Sequence, residues 1–279
     1  MATDVLTLYF IPSPVGMNWS SPKDLAWSAL LNRISFKSRF MGHVWAEVKC
    51  EEKREITGMV GKRFDYFNQL LLENRGLGIL YHSFEGRLET AEDIDAEMKT
   101  LAETGERLNF VSFKIGKDNC QRLMTYLKEY RGKNVGRYYG LANRPLYGEG
   151  SGCSAFGASF LEVAGLLDQD IKDAWSGAVN IPLAFSGPPL RDEGVNLLKL
   201  MFNAGKWARE DEDHKKLFFW DPDKMFQWTK ARIEAPTKFN VTLAQIGNAK
   251  GIIINKSHLP APLGPIFQQT LDPSITLKK

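Results

Sequence analysis

Gly148-Glu149-Gly150-Ser151-Gly152-Cys153-Ser154-Ala155-Phe156-Gly157-Ala158-Ser159-Phe160-Leu161-Glu162-Val163-Ala164-Gly165-Leu166-Leu167 is the stretch whose reading decides the fold. From Cys153 onward, Phe156, Phe160, Val163 and Leu167 recur at three- and four-residue steps, the spacing of one helical face. The glycine-rich run ahead of them reads as a loop. The sequence therefore predicts a cysteine in the first turn of a buried helix. That turn carries unpaired backbone N–H groups and the positive end of the helix dipole. Both favour thiolate over thiol and lower a cysteine pKa from about 8.5 into the range of about 3.5 to 7.5. The glycines in front let substrate and backbone approach closely. A nucleophile needs that environment.

Working outward, residues 5–11 read as a short strand ending at Pro12, and 23–33 as a helix capped by Ser21 with Pro22 at its first position. Residues 40–50 read as a strand in which His43, Trp45 and Glu47 alternate with Val44, Ala46 and Val48. A charged turn at 51–54 and a return strand at 55–60 suggest a hairpin. Helices are predicted over 64–73, 91–104 and 117–130, and strands over 78–84 and 108–115. Residues 132–152, rich in Gly, Asn and Tyr, form a loop that delivers the chain to the Cys153 helix. Beyond it come an extended segment over 175–189, helices over 194–210 and 221–233, a strand pair over 239–246 and 251–255, and a proline-bearing tail. Helices and strands intersperse without strict alternation, which points to the α+β class. The chain reads as one domain over 1–279, with a core of about 1–190 and an elaboration of about 191–279.

Composition narrows the function. The 279 residues are 43% hydrophobic and 25% charged, an ordinary globular balance. A net charge of +3, not clustered with aromatics, gives no case for nucleic acid. No stretch approaches the apolar length of a membrane span. The first residues lack a basic segment before an apolar run, so no signal peptide is expected, although a processed form leaves the compartment unknown. Three cysteines at irregular spacing argue against a disulfide framework and leave at least one free thiol. Cys50, ending a strand, and Cys120, on the inward face of a helix, are expected to be structural. Without C-x-x-C, His-Glu-x-x-His or a phosphate loop, neither metal nor cofactor is expected.

A cysteine nucleophile needs a base, usually histidine, and often a third polar group that orients the imidazole. Of the four histidines, His43 heads a strand after Gly42. His82 sits within a predicted strand, His214 in the charged run 209–216, and His258 in the tail. The motifs Gly42-His43-Val44-Trp45 and Gly152-Cys153-Ser154, in that order and context, resemble the circularly permuted branch of the papain-like superfamily. That branch includes relatives of bacterial cell-wall endopeptidases and of lecithin:retinol acyltransferase. The resemblance covers roughly residues 40–167 and implies a permuted papain-like core, an antiparallel sheet with the nucleophile helix packed on it.

The resemblance implies Cys153 as nucleophile and His43 as its base and then general acid. The third residue is expected on the strand after His43, where Glu55 and Thr57 stand, and the resemblance implies Glu55, twelve positions after His43. Glu47 is the rival, on His43's own face but roughly 13 Å along it. A tight hairpin would set Thr57 or Met59 opposite His43 instead. Backbone N–H groups at the helix start would form part of an oxyanion hole. Tyr138, Tyr139 and Tyr147 would line the donor groove, with Trp45 beside it, and Arg144 would bind a substrate carboxylate. Trp207, Trp220 and Trp228 are expected to pack in the core. The expected activity is a thiol hydrolase that cleaves an amide, with a peptide or peptidoglycan amide leading, through an acyl-cysteine. The alternatives are a lipid-directed acyltransferase or thioesterase, which an apolar tunnel beside Cys153 would favour, and a binding protein on a decayed papain-like scaffold.

Overall fold

The computed structural model describes residues 4–35, 41–62, 73–105 and 107–268. Strand β1 (Val5–Ile11) runs through the middle of the sheet, and six of its seven residues are buried. It is followed by α1 (Pro22–Ser35), β2 (His43–Cys50), β3 (Lys53–Gly61), a 3-10 turn (Leu77–Tyr81), β4 (Phe84–Leu88), α2 (Ala91–Thr104), β5 (Asn109–Lys114) and α3 (Lys117–Gly132). Then come β6 (Tyr138–Tyr139), α4 (Cys153–Val163), α5 (Gln169–Trp175), β7 (Ser176–Pro182), α6 (Leu197–Asn203), β8 (His214–Trp220), α7 (Pro222–Glu234), α8 (Pro236–Phe239), β9 (Thr242–Ile246) and β10 (Ala249–Asn255).

Eight strands form one sheet in the order β6-β4-β3-β2-β1-β5-β10-β9. Only the β5–β10 pair is parallel. A mixed sheet with helices that do not alternate with its strands is an α+β architecture. One face packs Leu6, Leu8, Val44 and Val111 under α3 and α4. The other packs Tyr9, Trp45 and Phe110 under Ile94 and Met98 of α2. Hence β2 is buried on both sides, although its sequence alternates polar and apolar. A two-stranded ribbon, β7–β8, makes a third core with α1, α6 and the 3-10 turn, centred on Ile181, Leu200, Leu217 and Phe219.

Several expectations shift. The strand over 78–84 is instead the 3-10 turn, whose local bonds Gly78 N–H to Arg75 O and His82 N–H to Ile79 O replace a ladder; pairing starts at Phe84. The helix over 194–210 shortens to α6, capped by Asn196 and stopped at Ala204-Gly205. His214 opens β8, opposite Pro182, rather than lying in a linker. The expected helix over 64–73 falls almost wholly outside the described residues, as does position 40. The expected C-terminal elaboration supplies two strands of the main sheet, since β10 pairs directly with β5. Trp207 stacks near Trp19 and Trp228 lies edge-on to Trp175.

The cysteine count concealed a pairing. Cys50, at the end of β2, is disulfide-bonded to Cys120 of α3 across 70 residues, and Cys153 is free. The inward turn of α3 meets the strand end there, a contact that an odd count at irregular spacing does not reveal.

Candidate active site

Helix α4 reaches the sheet because Gly157 lies against Val44; a Cβ on Gly157 would stand 2.5 Å from Val44 Cγ1. That close approach sets the first residue of the helix, Cys153, beside the head of β2. Gly152 provides an extended N-cap with no side-chain bond to the turn. The first-turn N–H groups therefore have no capping side chain to satisfy them.

Cys153 is buried. Its thiol donates to the Gly42 carbonyl at 3.7 Å, and the Tyr139 hydroxyl donates to its sulfur at 3.8 Å. Burial pushes the Cys153 pKa up, but it is outweighed by the His43 charge, by hydrogen bonds from His43 and Tyr139, and by the Val44 N–H. The thiol is thus held below its ordinary value.

His43 heads β2 and is buried. Its Nε2 lies 2.7 Å from Glu89 Oε2, and Trp45 Nε1 donates to the same oxygen at 3.1 Å. A carboxylate only accepts, so two such bonds fix the proton on Nε2 and leave Nδ1 as the ring nitrogen for the hydrogen bond between His43 and Cys153. Thiol, imidazole and carboxylate of Cys153, His43 and Glu89 thus stand in one line.

Glu89 sits between β4 and α2, one residue before the Thr90 cap, whose capping box with Asp93 fixes the start of α2. Its N–H donates to Gly58 O at 2.9 Å, and Thr57 Oγ1 donates to its carbonyl at 3.0 Å. Gly58, opposite Trp45 in the ladder, leaves room for the carboxylate. A methyl group there would overlap Glu89 Oε2 and the Trp45 ring.

The other expected site residues fall in different places. Glu55 pairs with Val48 in the ladder and forms an ion pair with Arg131 at 2.8 Å, near the disulfide end of β2. Glu47 is buried under Tyr9, which donates to it at 2.6 Å, and beside Arg54. Trp45 is fully buried and holds Glu89 rather than lining the groove. Arg144 is bound to Glu149, with its guanidinium 4.1 Å from the Tyr147 ring centre; neither residue lines the space in front of Cys153. Tyr138 turns its carbonyl to the Ser151 N–H at 3.2 Å. Tyr139 is the tyrosine at the thiol.

In front of Cys153 opens a cavity of about 200 Å3. Its walls are largely apolar: Leu25, Ala26 and Ala29 of α1, Leu77 and Leu80 of the 3-10 turn, and Phe219 of β8. Asp221 lies on the wall, its side chain capping α7 through the Asp223 and Lys224 N–H groups. Burial first, and the Asp223 charge second, push its pKa up to about 6. Among the described residues no cluster of His, Cys, Asp and Glu is arranged to hold a metal, and no helix is long and apolar enough to cross a membrane. No protein-family model, curated protein or solved structure matches the chain.

Proposed function

We propose that the protein is a cysteine-dependent acyl hydrolase or acyltransferase, built on a permuted papain-like core, that works on the ester or amide of an apolar acyl chain. One observation carries the choice of substrate: the cavity that opens on Cys153 is walled by aliphatic and aromatic side chains. Apolar pockets bind by removing hydrocarbon from water, at about 0.8 kcal/mol per buried CH2. A peptidoglycan peptide, the leading expectation from sequence, needs convergent polar partners, and Arg144 is committed to Glu149. The order of a histidine strand, β2, before a cysteine helix, α4, supports the permuted core.

In this reading the acyl chain lies in the cavity with its carbonyl at Cys153. The thiolate attacks the carbonyl carbon, and the oxyanion is met by first-turn N–H groups of α4 and by the Tyr139 hydroxyl. His43, held by Glu89, passes the thiol proton to the leaving alcohol or amine. The acyl-cysteine is then resolved by water or by an acceptor from which His43 removes the proton.

The test is intact-mass detection of an acyl adduct on Cys153, with p-nitrophenyl esters of graded chain length and a peptide amide as donors. Adduct formation should rise with acyl length until the cavity is filled. Cleavage of the peptide amide with no adduct from any ester would return the reading to a peptidase.

A further inference from the structure

Helix α1 has two apolar faces. Leu25, Ala26 and Ala29 line the cavity, while Trp27, Leu31 and Ile34, at steps of four and three, point to solvent. Helix α6, packed beside it, repeats the arrangement: Leu200 lines the cavity, and Leu198 and Phe202 are 65% and 67% exposed. Trp27 and Phe202 meet edge to face at 6.4 Å, so the outer faces join into one patch. These two helices hold five of the ten large hydrophobic side chains exposed among the described residues. Exposure of that kind costs free energy unless something covers it.

The charge on these two helices is cationic. The two helices carry the exposed cations Lys23, Arg33 and Lys199, Arg33 also bordering the cavity and Lys199 lying over the Phe185 ring, against a single acid, Asp24, which is engaged by Ser21. A second copy of the chain would bring the same cations face to face. An anionic lipid surface satisfies both features: the apolar side chains enter the acyl boundary and the cations meet headgroups.

We propose that the outer face of α1 and α6 docks the protein on an anionic lipid surface, so that the same two helices carry an acyl chain from that surface into the cavity. The inference rests on the acyl reading of the site and names where its substrate comes from.

The experiment is co-sedimentation of the full chain with vesicles of phosphatidylcholine, with and without phosphatidylserine. The protein should bind the phosphatidylserine vesicles, and salt should weaken that binding. Ile34→Glu and Phe202→Glu, at exposed positions off the cavity wall, should each weaken it by about tenfold or more while keeping the thermal melt and the turnover of a soluble short-chain ester. Cys153→Ser should bind as wild type. The inference is overturned if wild type sediments with neither vesicle, if both variants bind unchanged, or if the patch proves to be a self-interface, with Phe202→Glu breaking a dimer in light scattering. Vesicle binding without any acyl adduct would sink the acyl reading and leave the surface standing. Adducts from soluble esters without vesicle binding would do the reverse.

Discussion

The two ends of β2 show the same chemical group put to opposite uses. At one end His43 faces the free thiol of Cys153; seven residues along the strand, Cys50 is locked to Cys120. Both ends are flanked by a carboxylate on or beyond the neighbouring strand, and again their fates differ. Glu89 is buried on His43, whereas Glu55 is half-exposed on Arg131. The difference is made by what packs against each end. A helix N-terminus and a buried imidazole hold one thiol below its ordinary pKa, and the inward face of α3 supplies the other with a disulfide partner.

The largest expected effect lies at the reactive end. Cys153→Ala should lower turnover of an acyl ester by about a thousandfold or more. The Cys50–Cys120 bond should remain intact by peptide mapping. Loss of activity accompanied by loss of that disulfide would mean the ends are not separable. Next, Glu89→Gln should lower kcat/KM by about a hundredfold to ten-thousandfold, because an amide carries no charge to stabilise the imidazolium and can turn its NH2 to Nε2, selecting the wrong tautomer. Glu55→Gln should stay within about twofold, since a half-exposed ion pair contributes little. Equal effects of the two would break the assignment of Glu89.

At the locked end, replacing Cys50 and Cys120 together by alanine should cost about 2–5 kcal/mol of stability, because a bridge across that much chain restricts the unfolded state. The rate of Cys153 alkylation should be unchanged in the folded protein; a large fall in that rate would show that the disulfide tunes the site. The smallest effect concerns Asp221. Its folded pKa of about 6 lies above the unfolded value, so the folded state binds its proton more tightly. Its stabilising contribution is full below pH about 4 and is lost as pH rises through about 6. Asp221→Asn, which keeps a capping oxygen, should therefore stabilise the protein by about 1–3 kcal/mol above pH 7, with the gain vanishing in acid thermal melts.

Cys153 and His43 were legible in the sequence because each sits where an element begins, and element starts carry local signals: glycines before the helix and a Gly-His before the alternating strand. Glu89 was not. It belongs to no periodic pattern, lying between β4 and the Thr90 cap, and its role depends on Trp45 and Gly58, which are distant in sequence and brought to it by the ladder. The Thr90-x-x-Asp93 capping box is readable and would have placed Glu89 just ahead of a helix, but nothing local says which way the carboxylate points. The disulfide was hidden for the same reason, its halves being far apart in sequence. The cavity was invisible because its wall is shared among α1, the 3-10 turn, α6 and β8, none of which is apolar enough alone to announce it.

The central claim is that His43 and Glu89 activate Cys153, and alkylation by iodoacetamide as a function of pH tests it most directly. With wild type and Glu89→Gln followed side by side by peptide mass, Cys153 of the wild type should react with a midpoint well below about 8.5, and Glu89→Gln should move that midpoint upward. Cys50 and Cys120 should stay unlabelled without reductant. A wild-type midpoint at or above about 8.5, unmoved by the substitution, would contradict the account.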